Sequence, residues 1–503
     1  MPSDEAKHVF VSYVREDAEK VDQLCQALEA ANIPYWRDRT SLAPGDHWKQ
    51  KIRDAVRSGA LVFLACFSEQ SRAKGKSYMN EELSLAVEEF RMLPPGATWL
   101  IPVRFDDGDI PQWDLGAGRM LGDLNYADLF GDRYVPNLVS LTTTISQVFG
   151  TTGVDAATVR ASVEEADDAE KPAKLRRMTK DMILNSAKRI ELDDLISQET
   201  QHILTAMRDE ERFPIQRLEG TGEDQVVRCA EVAADYWQLA EPFCASLQVA
   251  ARWGEGQALA PWVAGLRAIA GEALKSKSGM TALLELQHVP ALIATFTAAF
   301  AATGQARWDN LKTLLVDTTV SQRYGAGRDP LMQVENPWTP FGDMSHWLPS
   351  VVARVAKTGE EARTALKVFT GNHVGKYRTP VAEWLHTILQ PHFADQYVDD
   401  TAYDDAFDRA EVMLGLISQD FDNARAVANS DQTREGRSVW FGRSTWRGRY
   451  GSRAVGIVAS EVEVQGASWA PLEAGLFGGQ LDRAVTAIKD YEEAFNRIAR
   501  LHW

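Results

Sequence analysis

Cysteine is scarce in this chain: Cys25, Cys66, Cys229 and Cys244 are the only four among 503 residues. They have neither metal-ligand spacing nor the density of a disulfide scaffold, and they read as buried thiols of a reducing compartment. The nine His include no H-E-x-x-H pair, which leaves a zinc hydrolase unsupported, and His386 and His392 read as structural residues. Long apolar runs are missing too. The most apolar stretch, 289–302, carries Pro290 and is shorter than the roughly 18 residues that a membrane span needs. The opening MPSDEAKHVFVSYVRED has no basic flank leading into an apolar stretch, which predicts no secretory signal and a cytoplasmic location. Positive charge is not in excess either. The 54 Lys and Arg face 71 Asp and Glu, a net charge of −17, and such a surface repels polyphosphate on average. No tetratricopeptide, leucine-rich or propeller period is visible, so a regular solenoid is not supported.

What is present suits packed cores, with 45% hydrophobic and 25% charged residues. Residues 1–150 alternate short apolar runs with amphipathic stretches. The run His8 to Tyr13 is β-rich, Ile33 to Trp36 is a second short strand, and Ala60 to Phe67 is continuously apolar, as a strand covered on both faces should be. Helical patterns follow the first strand (Val21, Leu24, Leu28), the polar loop with Pro44 and Gly45 (Trp48, Ile52, Val56), and the third strand (about 77–91). A further strand runs from Trp99 to Val103. Strands alternating with helices imply an α/β unit with a parallel sheet and right-handed crossovers.

Residues 151–174 break this rhythm with the acids Glu164 to Glu170 and then Lys171-Pro172-Ala173-Lys174, which predicts a linker. From 175 to 503 long helical patterns dominate, predicting a large, mainly α-helical domain with room for two subdomains. Its last helix carries Leu481, Ala484, Ile488, Tyr491, Phe495 and Ile498 at three- and four-residue steps. Eleven of the fifteen Trp lie after residue 230 and fit an aromatic-stapled core. The stretch Ala454 to Val464 reads as a strand or hairpin arm.

Three motifs of the first unit occur in a telling order. Val9-Phe10-Val11-Ser12-Tyr13 is followed by Arg15 and Asp17; Trp36-Arg37-Asp38 leads into a loop ending at Pro44-Gly45; and Ser77-Tyr78-Met79-Asn80-Glu81-Glu82-Leu83 lies on the helix after the buried third strand. Together they resemble a Toll/interleukin-1 receptor (TIR) domain of the bacterial type, over about residues 7–148. The resemblance implies a flavodoxin-like, five-stranded parallel sheet. It also implies cleavage of NAD⁺ at the nicotinamide–ribose bond by one glutamate, four positions after an aromatic. That spacing falls on Tyr78 and Glu82. Residues four apart share a helix face while neighbours differ by about 100°, which favours Glu82 over Glu81 as the catalytic residue. Tyr78 stands where the family's commonest form has Trp.

The resemblance offers further substrate-contact positions: Arg15 near the phosphates, Trp36 and Asp38 at the pocket edge. Ser12 and Ser68 end strands where open α/β sheets place ligands. NAD⁺ is then the substrate, and no cofactor or metal is expected. Proteins of this kind assemble through TIR–TIR contacts and commonly act in antiphage defence by depleting NAD⁺, with the second domain sensing a trigger or driving assembly. The alternatives are a non-catalytic TIR signalling scaffold, or a synthase of a cyclic ADP-ribose-type messenger.

Two segments of the second domain bear on partners. Gly371 to Tyr377 resembles a phosphate-binding loop but has three residues between its glycines and Tyr in place of Ser or Thr, so it is set aside. The segment Arg434 to Arg453 holds six Arg interleaved with Trp440, Phe441, Trp446 and Tyr450, a composition that suits phosphates, stacked bases or an acidic face. It is a candidate site for a phage-derived or nucleotide trigger. The competing reading is internal pairing with the acids Asp399, Asp400, Asp404, Asp405 and Asp408.

Overall fold

The computed structural model describes residues 7–37, 61–74, 77–92, 99–131, 134–149, 171–275, 277–322, 327–342, 347–370, 377–428, 438–447 and 454–501. The chain divides into two compact units, Met1–Lys171 and Pro172–Trp503.

The first unit is a doubly wound α/β sandwich. Its strands are β1 (His8–Ser12), β2 (Tyr35–Arg37), β3 (Leu61–Phe67), β4 (Leu100–Arg104) and β5 (Ala127–Asp128). They form one sheet in the order β2-β1-β3-β4-β5, parallel throughout. The helices are α1 (Ala18–Ala30), α2 (Glu69–Ala73), α3 (Tyr78–Met92) and α4 (Tyr134–Phe149). Strand alternation divides the core. Val9, Val11, Val62, Leu64 and Cys66 face Leu24, Leu28, Leu138 and Ile145 of α1 and α4. Phe10, Phe63, Ala65 and Phe67 face Met79, Leu83 and Ala86 of α3. The short strand β5 completes the sheet through Val103 and Arg104, and no apolar run announces it in the sequence. The predicted helix carrying Trp48, Ile52 and Val56 lies outside the described residues.

The second unit is largely helical around one continuous core. It opens with helix α5, residues 171–183, whose first turn lies in the stretch expected to be linker. The long helix α6 (Gly222–Trp253) packs against α7 (Val289–Gly304), which is buried along nearly its whole length. The run Thr281–Gly304 is long and apolar enough to cross a membrane by length and composition, yet 94% of its most apolar window is buried inside the unit. Small Ala and Thr side chains let neighbours approach α7, while Phe296 and Phe300 reach Phe407, Phe393 and Trp440. Further helices used below are α8 (Pro380–Leu389), α9 (Asp400–Ala428), α10 (Ser444–Arg447), α11 (Ala454–Gln465) and α12 (Leu481–Leu501). The expected strand at Ala454–Val464 is therefore corrected to α11. Its Val455, Val458 and Val462 fall at three- and four-residue steps and are buried, so packing overrides the β preference of a Val-rich segment. In α12, Ala484, Ile488, Tyr491 and Phe495 are buried as their spacing predicts.

Candidate functional site

In the order β2-β1-β3-β4-β5, connections leave β1 toward one edge and β3 toward the other. The C-terminal ends of β1 and β3 therefore flank the switch point, where such sheets open a crevice. Ser12 is the last residue of β1 and is paired with Ala65 of β3. Alternation puts Ser12 on the same sheet face as Phe10, toward α3. There its hydroxyl donates to Glu82 Oε2 at 2.7 Å. Met79, Leu83 and Ala86 fasten α3 to the sheet, and Glu82 sits within that apolar stripe, only 6% exposed. Glu81, one position earlier, is exposed. A carboxylate covered this far is costly unless hydrogen-bonded, and Ser12 supplies a bond.

A second buried pair ties the two strand ends together. Asp17 ends the 3-10 turn Arg15–Asp17 after β1, and its Oδ2 accepts from Ser68 Oγ at 2.5 Å. Ser68 directly follows β3 and caps α2: its Oγ accepts from the Ser71 N–H at 3.1 Å, and Ser71 Oγ accepts from the Ser68 N–H at 2.8 Å. Burial pushes the Asp17 carboxyl above the usual range, opposed by the Ser68 bond and the Lys20 charge.

Both predicted serines are covered in this structure: Ser12 is 0% exposed and Ser68 1%. Each is used internally, one on Glu82 and one on Asp17 and the α2 cap. Tyr78 opens α3 and is 69% exposed, so the aromatic stands in solvent while the carboxylate one turn later is covered. Trp36 is half-buried on edge strand β2, opposite Phe10 and therefore on the Ser12 face, and it stacks on His8 with ring centroids 4.6 Å apart. Arg15 is exposed in the turn after β1. Asp38 and the loop to Gly45 lie outside the described residues. Asp17 belongs to the first sequence motif, in the turn directly after β1, but the motif alone gives it no partner and no place in the site.

The family model for the TIR domain matches residues 9–139, from β1 through the first turns of α4, and spans all five strands. Residues 9–139 form a TIR domain. Neither a curated protein nor a solved structure matches the chain. Outside the TIR domain, the arginine-rich segment is described over 438–447. Its Arg443 pairs with Glu383 and Asp404, and its Arg447 with Asp404 and Asp408. The internal-pairing alternative therefore describes these two residues. Arg434, Arg437, Arg449 and Arg453 lie outside the described residues. His386 pairs with Asp404 and His392 with Glu241, and no group of three possible metal ligands occurs among the described residues.

Proposed function

We propose that the TIR domain cleaves NAD⁺ at the bond between nicotinamide and ribose, with Glu82 as the catalytic residue. The observation that carries this reading is that Glu82, a buried carboxylate at the switch-point end of the sheet, is embedded in an apolar helix stripe and held by the Ser12 hydroxyl at the end of β1. In NAD⁺ the nicotinamide is already a cationic leaving group and needs no general acid. As the C–N bond breaks, its electron pair neutralises the pyridinium ring and positive charge develops on the ribose carbon. A fixed carboxylate stabilises that charge more than it stabilises the ground state. Water then adds to the carbon, loses a proton and leaves ADP-ribose; attack by the adenine of the same molecule would give a cyclic product instead.

The TIR match also supports association between TIR domains in general, and we read the helical unit as the part that controls such assembly. Depletion of NAD⁺ would suit a defence role. The test is incubation of the pure full-length protein with NAD⁺, alone and under crowding, with product masses recorded. Nicotinamide together with ADP-ribose is expected. A cyclic product would identify a messenger synthase, and no nicotinamide under either condition would favour a signalling scaffold and overturn the proposal.

A further inference from the structure

The geometry points to Ser12 as the positioning residue for Glu82: a fully buried strand-end hydroxyl that fixes the carboxylate without itself meeting substrate. This rests on the reading of Glu82 as catalytic and adds a role for a residue that the sequence placed among substrate contacts. Three observations converge. Ser12 breaks an otherwise apolar strand, Val9-Phe10-Val11, at the position that faces α3. Its surface is wholly covered, so a direct contact with ligand requires the strand to move. Its backbone is held by the ladder to Ala65, in a strand flanked on both sides, so the hydroxyl is anchored to the least movable part of the sheet.

The chemistry follows from the donor inventory. An ionised carboxylate only accepts, so the single hydroxyl hydrogen of Ser12 must point at Glu82 Oε2. The bond therefore favours the charged form, the one that stabilises a cationic ribose. It also restricts a side chain with three rotatable bonds before substrate arrives, which is preorganisation of the kind electrostatic catalysis needs. A residue acting in this way should influence the chemical step and leave the affinity for NAD⁺ alone.

Three substitutions of graded donor strength test this in the full-length protein, with Glu82→Gln as the reference: Ser12→Thr keeps the hydroxyl, Ser12→Cys supplies a weaker donor, and Ser12→Ala removes it. Loss of one bond to a charged group predicts a kcat about 10- to 100-fold lower in Ser12→Ala, with KM changed less than about twofold. The acidic limb of the rate profile should move to higher pH, Ser12→Cys should fall between, and Ser12→Thr should stay near wild type. If Ser12→Ala fails to fold, Ser12→Cys, close to serine in size, carries the comparison. Inactive Glu82→Gln with wild-type kcat and pH profile in both Ser12→Ala and Ser12→Cys overturns the positioning role alone. Full turnover by Glu82→Gln overturns the catalytic reading beneath it.

Discussion

Replacing Arg443 by Met should destabilise the helical unit, and more so at high pH than at low. Arg443 is 8% exposed and joins α8 to α9: its Nη1 donates to Glu383 at 2.6 Å and its Nη2 to Asp404 at 3.2 Å. Arg447 pairs with Asp404 and with Asp408. Glu411 accepts the backbone N–H groups of Arg443 at 3.1 Å and Ser444 at 3.0 Å, which caps α10. Glu383, Asp404, Asp405 and Asp408 thus share two guanidinium groups, with buried Glu411 beside them, while burial pushes the His386 imidazole down to about 4 and keeps it neutral. The imbalance favours protonated acids. Burial raises Glu383 despite its ion pair, lifts Asp408 to about 7 and lifts Glu411 to about 8.

Carboxyls held above their unfolded values contribute stability that is full below the unfolded values, near pH 4, and is lost as pH rises through about 7 to 8. The wild-type helical unit should therefore weaken from pH 5 to pH 9. Removing Arg443 takes away a buried partner, a change that typically costs about 3–5 kcal/mol when the remaining acids are ionised. For a unit of this length that is a fall of roughly 5 °C in its thermal transition. The penalty should be largest near pH 8 and much smaller near pH 5, where the neighbouring Asp408 and Glu411 hold their protons. Thermal unfolding followed by calorimetry at both pH values reads it directly. An equal penalty at the two pH values, or one below about 1 kcal/mol, would refute the reasoning.

Ser68→Ala should lower the stability of the TIR domain by about 2 kcal/mol, through loss of the α2 cap and the bond to buried Asp17, with the KM for NAD⁺ unchanged. Urea unfolding and steady-state kinetics check it; a raised KM at unchanged stability would return Ser68 to the substrate contacts. Gly415→Ala should destabilise the α9–α12 contact by about 1–3 kcal/mol, because a Cβ there would overlap the Tyr491 ring. An unchanged thermal transition would show that α12 shifts freely.

The α/β half of the fold was legible because each strand and each helix stripe is a local pattern: Val9 to Ser12, Leu61 to Phe67, and Met79 with Leu83 and Ala86. β5 was not, since two residues carry no periodicity and pair only because β4 offers an open edge. The site was half legible. The TIR resemblance, with helix spacing, pointed to Glu82 as a candidate, but the neighbours of a Ser near a strand end are visible only in three dimensions. The sequence shows Ser12 and Ser68 only as strand-end residues, and their hydrogen bonds to Glu82 and Asp17 appear in the structure alone. In the helical unit, Val455 to Val464 showed β preference and helical spacing together, and the core around α12 chose the helix. The acids from Asp404 to Asp408 and the arginines at 443 and 447 are about 40 residues apart in sequence, so their pairing could be named as an option but not located.

The most direct measurement pairs binding with turnover in one variant. Glu82→Gln should bind NAD⁺ by calorimetry about as tightly as the wild type and release no nicotinamide under conditions where the wild type turns over. Nicotinamide release at the wild-type rate from that variant would contradict the role assigned to Glu82.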